Sequence, residues 1–165
     1  MTITITLKKP EIDYDIAMTT HVVMNRELAA GASQEQAFNY ANTQDESGEV
    51  HLITRFTEKA ITEVASALAR HLHDYKYESD NDLPSFVGVT FILSMPDNFD
   101  KTMTDRLRSA IHDYIVNKTI YEWYMRTKPD EAAIYRDLSE ASKDDIRSAL
   151  NARVGGIRIK PWPAI

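Results

Sequence analysis

The chain has 165 residues, no cysteine, and 19 Lys plus Arg against 25 Asp plus Glu, for a net charge of −6. That length suits one domain, able to bury roughly 70% of the surface its unfolded form exposes. Disulfide frameworks and thiolate metal centres are excluded, no apolar run approaches the roughly 20 residues of a membrane span, and MTITITLKKP lacks the apolar centre of a signal peptide.

Residues 2–7, TITITL, alternate Thr with Ile or Leu, the period of a half-buried strand, and Lys8, Lys9 and Pro10 close it. The next stretch, 11–30, reads two ways. Ile12, Tyr14, Ile16, Met18, Thr20, Val22 and Met24 fall on every second position, whereas Ile12, Ile16, Thr19 and Val23 fit one face of a helix; the pattern favours helix only after about Asn25. Ser33 with Gln36 forms a Ser-x-x-Gln capping box that opens a short helix within 33–43, and the polar TQDESGE that follows reads as a loop.

Ile53, Phe56, Ala60, Ile61, Val64, Leu68 and Leu72 recur at three and four, which predicts an amphipathic helix over about 52–73. DYKYESDNDLP is charged, carries Pro84, and ends it. Residues 86–95, FVGVTFILSM, are β-branched and aromatic and predict a buried strand that pairs with the first one. Asp100 is positioned to cap a helix over about 101–128, whose apolar residues Met103, Leu107, Ile111, Tyr114, Ile115, Ile120, Trp123 and Tyr124 form a face wide enough for two neighbours. Pro129 opens a last helix, about 130–154, with early Asp130 and Glu131 and late Arg147 and Arg153 complementing its dipole. Its expected buried stripe is Tyr135, Leu138, Ala141, Ile146, Ala149, Leu150 and Val154, with Gly155 closing it. The expected fold class is therefore α+β, predominantly α-helical: three main amphipathic helices, a small β element (2–7 and 86–95), one globular domain over 1–155 and an extended basic arm over 156–165.

No Gly-rich phosphate loop, Gly-x-Ser-x-Gly turn or His-Glu-x-x-His helix is present, so no catalytic, cofactor-binding or metal residue is assigned. His71 and His73 would point about 200° apart on a helix, too far to share one ion. His51 and His112 have no local partner spacing. Asp137, Glu140 and Asp144 share a helix face but are interleaved with Arg136, Lys143 and Arg147, the pattern of local charge pairing on a solvated helix. Tyr121, Trp123 and Tyr124 cannot all face one way, so at least one is expected to leave the core as an interface anchor.

Charge is unevenly placed. From Ile146 onward there are four basic residues, Arg147, Arg153, Arg158 and Lys160, and no acid, which leaves residues 1–145 at −10. An acidic body with a basic arm suits docking of the arm on an acidic surface, and Ile157, Arg158, Ile159, Lys160 and Trp162 are its contact candidates. The same acidic body disfavours nucleic acid as a direct partner.

The DYIV segment, the junction EWYMRTKPDEAAIY, the terminal Pro-Trp-Pro and the upstream helix ITRFTEKAITEVASALARHL, together covering roughly 50–165, resemble structural proteins of tailed phages and prophages of Bacteroidales. The resemblance implies a non-enzymatic virion protein of neck, head-tail connector, adaptor or tail-completion type. Such a protein is made in the host cytoplasm and assembles as a ring with itself and with portal, neck or tail proteins, without cofactor, membrane or direct nucleic-acid contact. The alternative from the residues alone is a monomeric protein-binding or regulatory module.

Overall fold

In the computed structural model, residues 1–41, 49–80 and 85–154 are described. β1 (Thr2–Lys8) buries Ile3, Ile5 and Leu7 and exposes the threonines between them, as its alternation requires. α1 (Lys9–Ala29) follows at once, with Pro10 in its first turn, where the missing N–H costs nothing. This overturns the expectation of helix only after Asn25. The buried residues are Ile12, Ile16, Thr20, Val23 and Met24, at helical spacing, while Tyr14, Met18 and Val22 of the apparent alternation are exposed. Buried Thr20 is tolerated because its hydroxyl donates to the Ile16 and Ala17 carbonyls. Gly31, with φ of +94°, takes the left-handed turn after this helix.

α2 (Gln34–Ala41) begins as the capping box predicts, the Gln36 N–H donating to Ser33 Oγ at 3.3 Å. α3 (Glu49–Leu68) buries the predicted stripe from Ile53 to Leu68. Its predicted end at 73 is wrong. The chain turns at 69–71, the His71 N–H returning to the Leu68 carbonyl, and Leu72 opens a strand, β2 (Leu72–Asp80), that the charged sequence concealed. The physical reason lies in β3 (Ser85–Ser94), whose Val89, Phe91 and Leu93 are buried and whose two edges both need a partner. β1 takes one edge and β2 the other, antiparallel, in the order β1-β3-β2. Tyr75 stacks on Phe91 across that pair with ring centroids 5.8 Å apart. Of the polar loop expected over 43–49, Glu49 opens α3, and the rest, like Pro84, lies outside the described residues.

Asp100 is not the N-cap of α4 (Met103–Thr127), a position Thr102 takes; its Oδ1 instead accepts from the Thr102 N–H and hydroxyl in the turn before the helix. Pro129 then opens α5 (Pro129–Leu150). α4 is the axle of the molecule. α1 runs parallel to it, since Glu11 meets Arg108 and Asp15 meets His112 at the same sequence separation. α3 runs antiparallel, Lys59 meeting Glu122 and Glu63 meeting Tyr114, and α5 folds back as the other arm of a hairpin. The sheet closes the core from the side of α1 and α3, and the result is the expected α+β, mainly helical class.

The α4–α5 seam corrects a second expectation. Leu138, Ala141 and Val154 are exposed, and the buried row is Ala132, Tyr135, Ser139, Ser142, Ile146 and Ala149, spaced three and four like a coiled-coil seam. Small residues there let the two backbones approach. Ser139 and Ser142 satisfy their hydroxyls on the Arg136 and Leu138 carbonyls, so their burial leaves no orphan. Arg153 donates to the Leu150 and Ala152 carbonyls at the end of α5, and the Val154 N–H donates to the Asn98 carbonyl at 2.8 Å. Gly155 and the arm over 156–165 lie outside the described residues.

Candidate protein-interaction cleft

Of the candidate contact residues, the structure places Trp123 and Tyr124 in the core and leaves Tyr121 half-buried under Lys118, whose ammonium lies 5.3 Å from its ring centroid. Trp123 Nε1 donates to the Tyr40 carbonyl at 3.0 Å, pinning α2 to α4, and Tyr124 packs its ring on Tyr135. Both are therefore core anchors in the folded chain rather than exposed contacts. Ile157, Arg158, Ile159, Lys160 and Trp162 lie outside the described residues.

His71 and His73 sit in the turn and in β2, not on the helix from which their divergence was argued. Among the described residues no group of three or more His, Cys, Asp or Glu is placed to hold a metal ion. Asp137, Glu140 and Asp144 are exposed and paired to Arg136, Lys143 and Arg147, the local charge pairing that their interleaving predicted. No helix among the described residues is long and apolar enough to cross a membrane.

What the sequence did not reveal is a cleft of about 780 Å³ between the N-terminal halves of α1 and α4. Leu7, Pro10, Glu11, Tyr14 and Asp15 form one wall, and Asp105, Arg108, Ser109, His112 and Asp113 the other. The two helices start side by side because β1 delivers α1 directly, and Glu11 and Asp15, one turn apart, meet Arg108 and His112, also one turn apart. Asp15 Oδ2 lies 2.7 Å from His112 Nε2. Four carboxylates thus face one guanidinium and one imidazole, leaving the cleft with an excess of negative charge. Asp113 is exposed at the rim, yet its carboxyl is raised above the ordinary value, first by partial desolvation, against the attraction of His112, and further by Asp15 and Asp145.

Helical geometry carries the cleft onward as a groove between α1 and α5. On α5 the flank holding Glu131, Ile134, Leu138, Ala141 and Asp145 is tied at one end to α1 by Glu131 with Arg26 at 2.5 Å, and at the other to α4 by Asp145 with Arg106 at 2.7 Å. On α1 the flank holding Glu11, Asp15, Val22 and Arg26 carries the matching ties to α4 and α5. Between those ties the facing side chains are apolar and left open: Met18 is 47% exposed, Val22 63%, Ile134 50% and Leu138 45%, with Tyr14 at 62% beside the cleft. On the floor, α4 presents Ser109 and Asp113 at the open end and the buried Val116 and Ile120 where the walls converge. Large apolar side chains lined up at that exposure, bordered by charge, mark a surface that proteins use for contact.

No signal in one sequence would have found this cleft, because its walls are 97 residues apart at the Asp15–His112 contact. The exposed half of the α1 alternation, Tyr14, Met18 and Val22, was the nearest hint. No family model matches the chain, and neither any curated protein nor any solved structure is significantly similar to it.

Proposed function

We propose that the chain is a non-enzymatic assembly protein that acts through protein–protein contacts, of the kind found at the neck or tail attachment of a phage or prophage particle. The observation that carries the contact role is the acidic cleft continuing into an apolar groove between α1 and α5, with Tyr14, Met18, Val22, Ile134 and Leu138 left uncovered on its walls. The outer edges of β1 and β2, which pair with no other strand among the described residues, add surface on which another chain can pair. The placement in a virion rests on the resemblance of residues 50–165, and the partners it implies are further copies of the chain together with portal, neck or tail proteins.

A groove with an acidic end and an apolar end also favours the second reading, a monomeric module that holds one basic, amphipathic partner. Light scattering on a size-exclusion column at low and moderate salt, followed by electron microscopy of any large species, separates the two. A closed ring weakened by salt supports the assembly protein, because a ring closes through heterologous contacts between unlike patches. A monomer at every protein and salt concentration, even with the portal added, refutes it and leaves the binding module.

A further inference from the structure

We propose that the occupant of the α1–α5 groove is the C-terminal segment of a second copy of this chain, residues 157–162, with Arg158 and Lys160 meeting the cleft carboxylates and the isoleucines and Trp162 covering the apolar walls. This rests on the reading of the chain as a self-assembling protein and names the surface through which it assembles.

Charge is the first argument. The cleft sets Glu11, Asp15, Asp105 and Asp113 against Arg108 and His112, and the segment after Val154 carries two cations and no acid. Pattern is the second. In Ile157-Arg158-Ile159-Lys160 an extended backbone directs both isoleucines to one side and both cations to the other. The groove offers both kinds of lining, carboxylates in its cleft end for the cations and Met18 and Val22 of α1 with Ile134 and Leu138 of α5 beyond it for the isoleucines.

Placement is the third. The described chain ends at Val154, held on Asn98 just before α4, and that is the end of the bundle where the cleft opens beside Asp105 and Arg108. From Val154 to Trp162 an extended chain spans at most about 28 Å, enough to leave one body and lie along the groove of an abutting one.

The chain has no native cysteine, so a cross-linking test on the full-length protein is clean. Ile159→Cys is made in one tagged version, and Leu138→Cys or Val22→Cys in another. The two are mixed, cross-linked with a short bis-maleimide, and run beside a Glu140→Cys control on the opposite flank of α5. The expected result is a cross-link between copies at Leu138 or Val22 and not at Glu140, reduced several-fold by Asp113→Lys and by raised salt.

Light scattering on the same samples separates the two ideas. An assembly that forms without the cross-link overturns the docking site and leaves the assembly reading standing. A cross-link found only within one chain, in the Ile159→Cys plus Leu138→Cys double variant, overturns docking between copies. A monomer with no cross-link overturns both.

Discussion

Two tyrosines on α4 should respond oppositely to loss of the same oxygen. Tyr124 is wholly buried, and its hydroxyl has no hydrogen-bond partner among the described residues. A buried unsatisfied polar group costs about 1–3 kcal/mol of desolvation. Tyr124→Phe removes that cost and keeps the ring, whose centroid lies 5.4 Å from that of Tyr135, so it should stabilise the fold by about 1–2 kcal/mol. At roughly 2–4 °C per kcal/mol for a domain of this size, the midpoint of thermal unfolding should rise by about 2–8 °C. Tyr114, nearly three turns earlier, is also buried but donates to Glu63 Oε2 at 2.5 Å. Tyr114→Phe discards a charge-assisted bond, leaving Glu63 Oε2 only its 3.4 Å ion pair with Lys118, and should cost about 1.5–3 kcal/mol. Urea denaturation followed by far-ultraviolet circular dichroism gives both differences at constant m-value. A destabilised Tyr124→Phe would refute the reasoning, since it would mean that the hydroxyl has a partner in solution, for instance an internal water.

Gly88→Ala should destabilise by about 1–3 kcal/mol, because a Cβ there would stand 2.9 Å from the Leu7 carbonyl oxygen of the paired strand; chemical denaturation measures it. Ser139→Leu, in the close α4–α5 seam, should cost a similar amount, about 1–3 kcal/mol, by overpacking, whereas Leu138→Ser next to it, on the exposed flank, should leave unfolding nearly unchanged. Glu27 has a depressed carboxyl pKa, chiefly through its hydrogen bond from Lys128, so its contribution is present above the unfolded value of 4.5 and is lost as pH falls through the lower folded value; Lys128→Met should flatten the acid limb of a stability–pH curve. Asp113 is shifted the other way. Its raised folded pKa means that the native state binds its proton more tightly, so stability from this group is greatest below the unfolded value of 3.8 and falls as pH rises through the folded one. Asp113→Asn should therefore stabilise at neutral pH, and titration of the denaturation midpoint should show that gain vanish in acid.

Periodicity was legible wherever one face of an element meets the core and the other meets water. TITITL, the α3 stripe from Ile53 to Leu68 and the capping box at Ser33 are such cases, and each stands where the pattern placed it. It failed where burial depends on what arrives from elsewhere. Residues 12–24 alternate and also repeat at three to four; the choice was made by Pro10 at the first turn and by β3 already being the partner of β1. Leu72–Asp80 is charged enough to pass for a loop, and it is a strand because β3 has a second edge to cover. On α5 the expected stripe held at Tyr135, Ile146, Ala149 and Leu150 but failed at Leu138 and Ala141, since the close seam takes Ser139 and Ser142 in their place. The cleft was illegible for a stronger reason: its two walls become neighbours only because α1 and α4 run in parallel, which no local pattern encodes.

The position of Asp113 links stability to the docking surface. α4 is flanked by α1, α3 and α5, and at Val116 and Ile120 the residues it presents between α1 and α5 are apolar and buried. About one turn earlier the helix carries the exposed Asp113, which lines the cleft together with Asp15 and whose carboxyl is raised further by Asp15 and Asp145. Partial burial and the charges of Asp15 and Asp145 disfavour the ionised form of Asp113, and an asparagine would fold at least as well, so the free monomer gains nothing from the charge. A cation seated between them reverses the sign. Arg158 or Lys160 of a neighbouring copy would favour the ionised form and draw the Asp113 pKa back down, so docking must release protons in the pH range where Asp113 titrates, and its affinity must weaken as the solution is acidified. Measuring assembly against pH in parallel with the Asp113→Asn variant checks this: the native chain should lose assembly in acid more steeply than the variant, and equal profiles for the two would show that Asp113 does not face the docked segment.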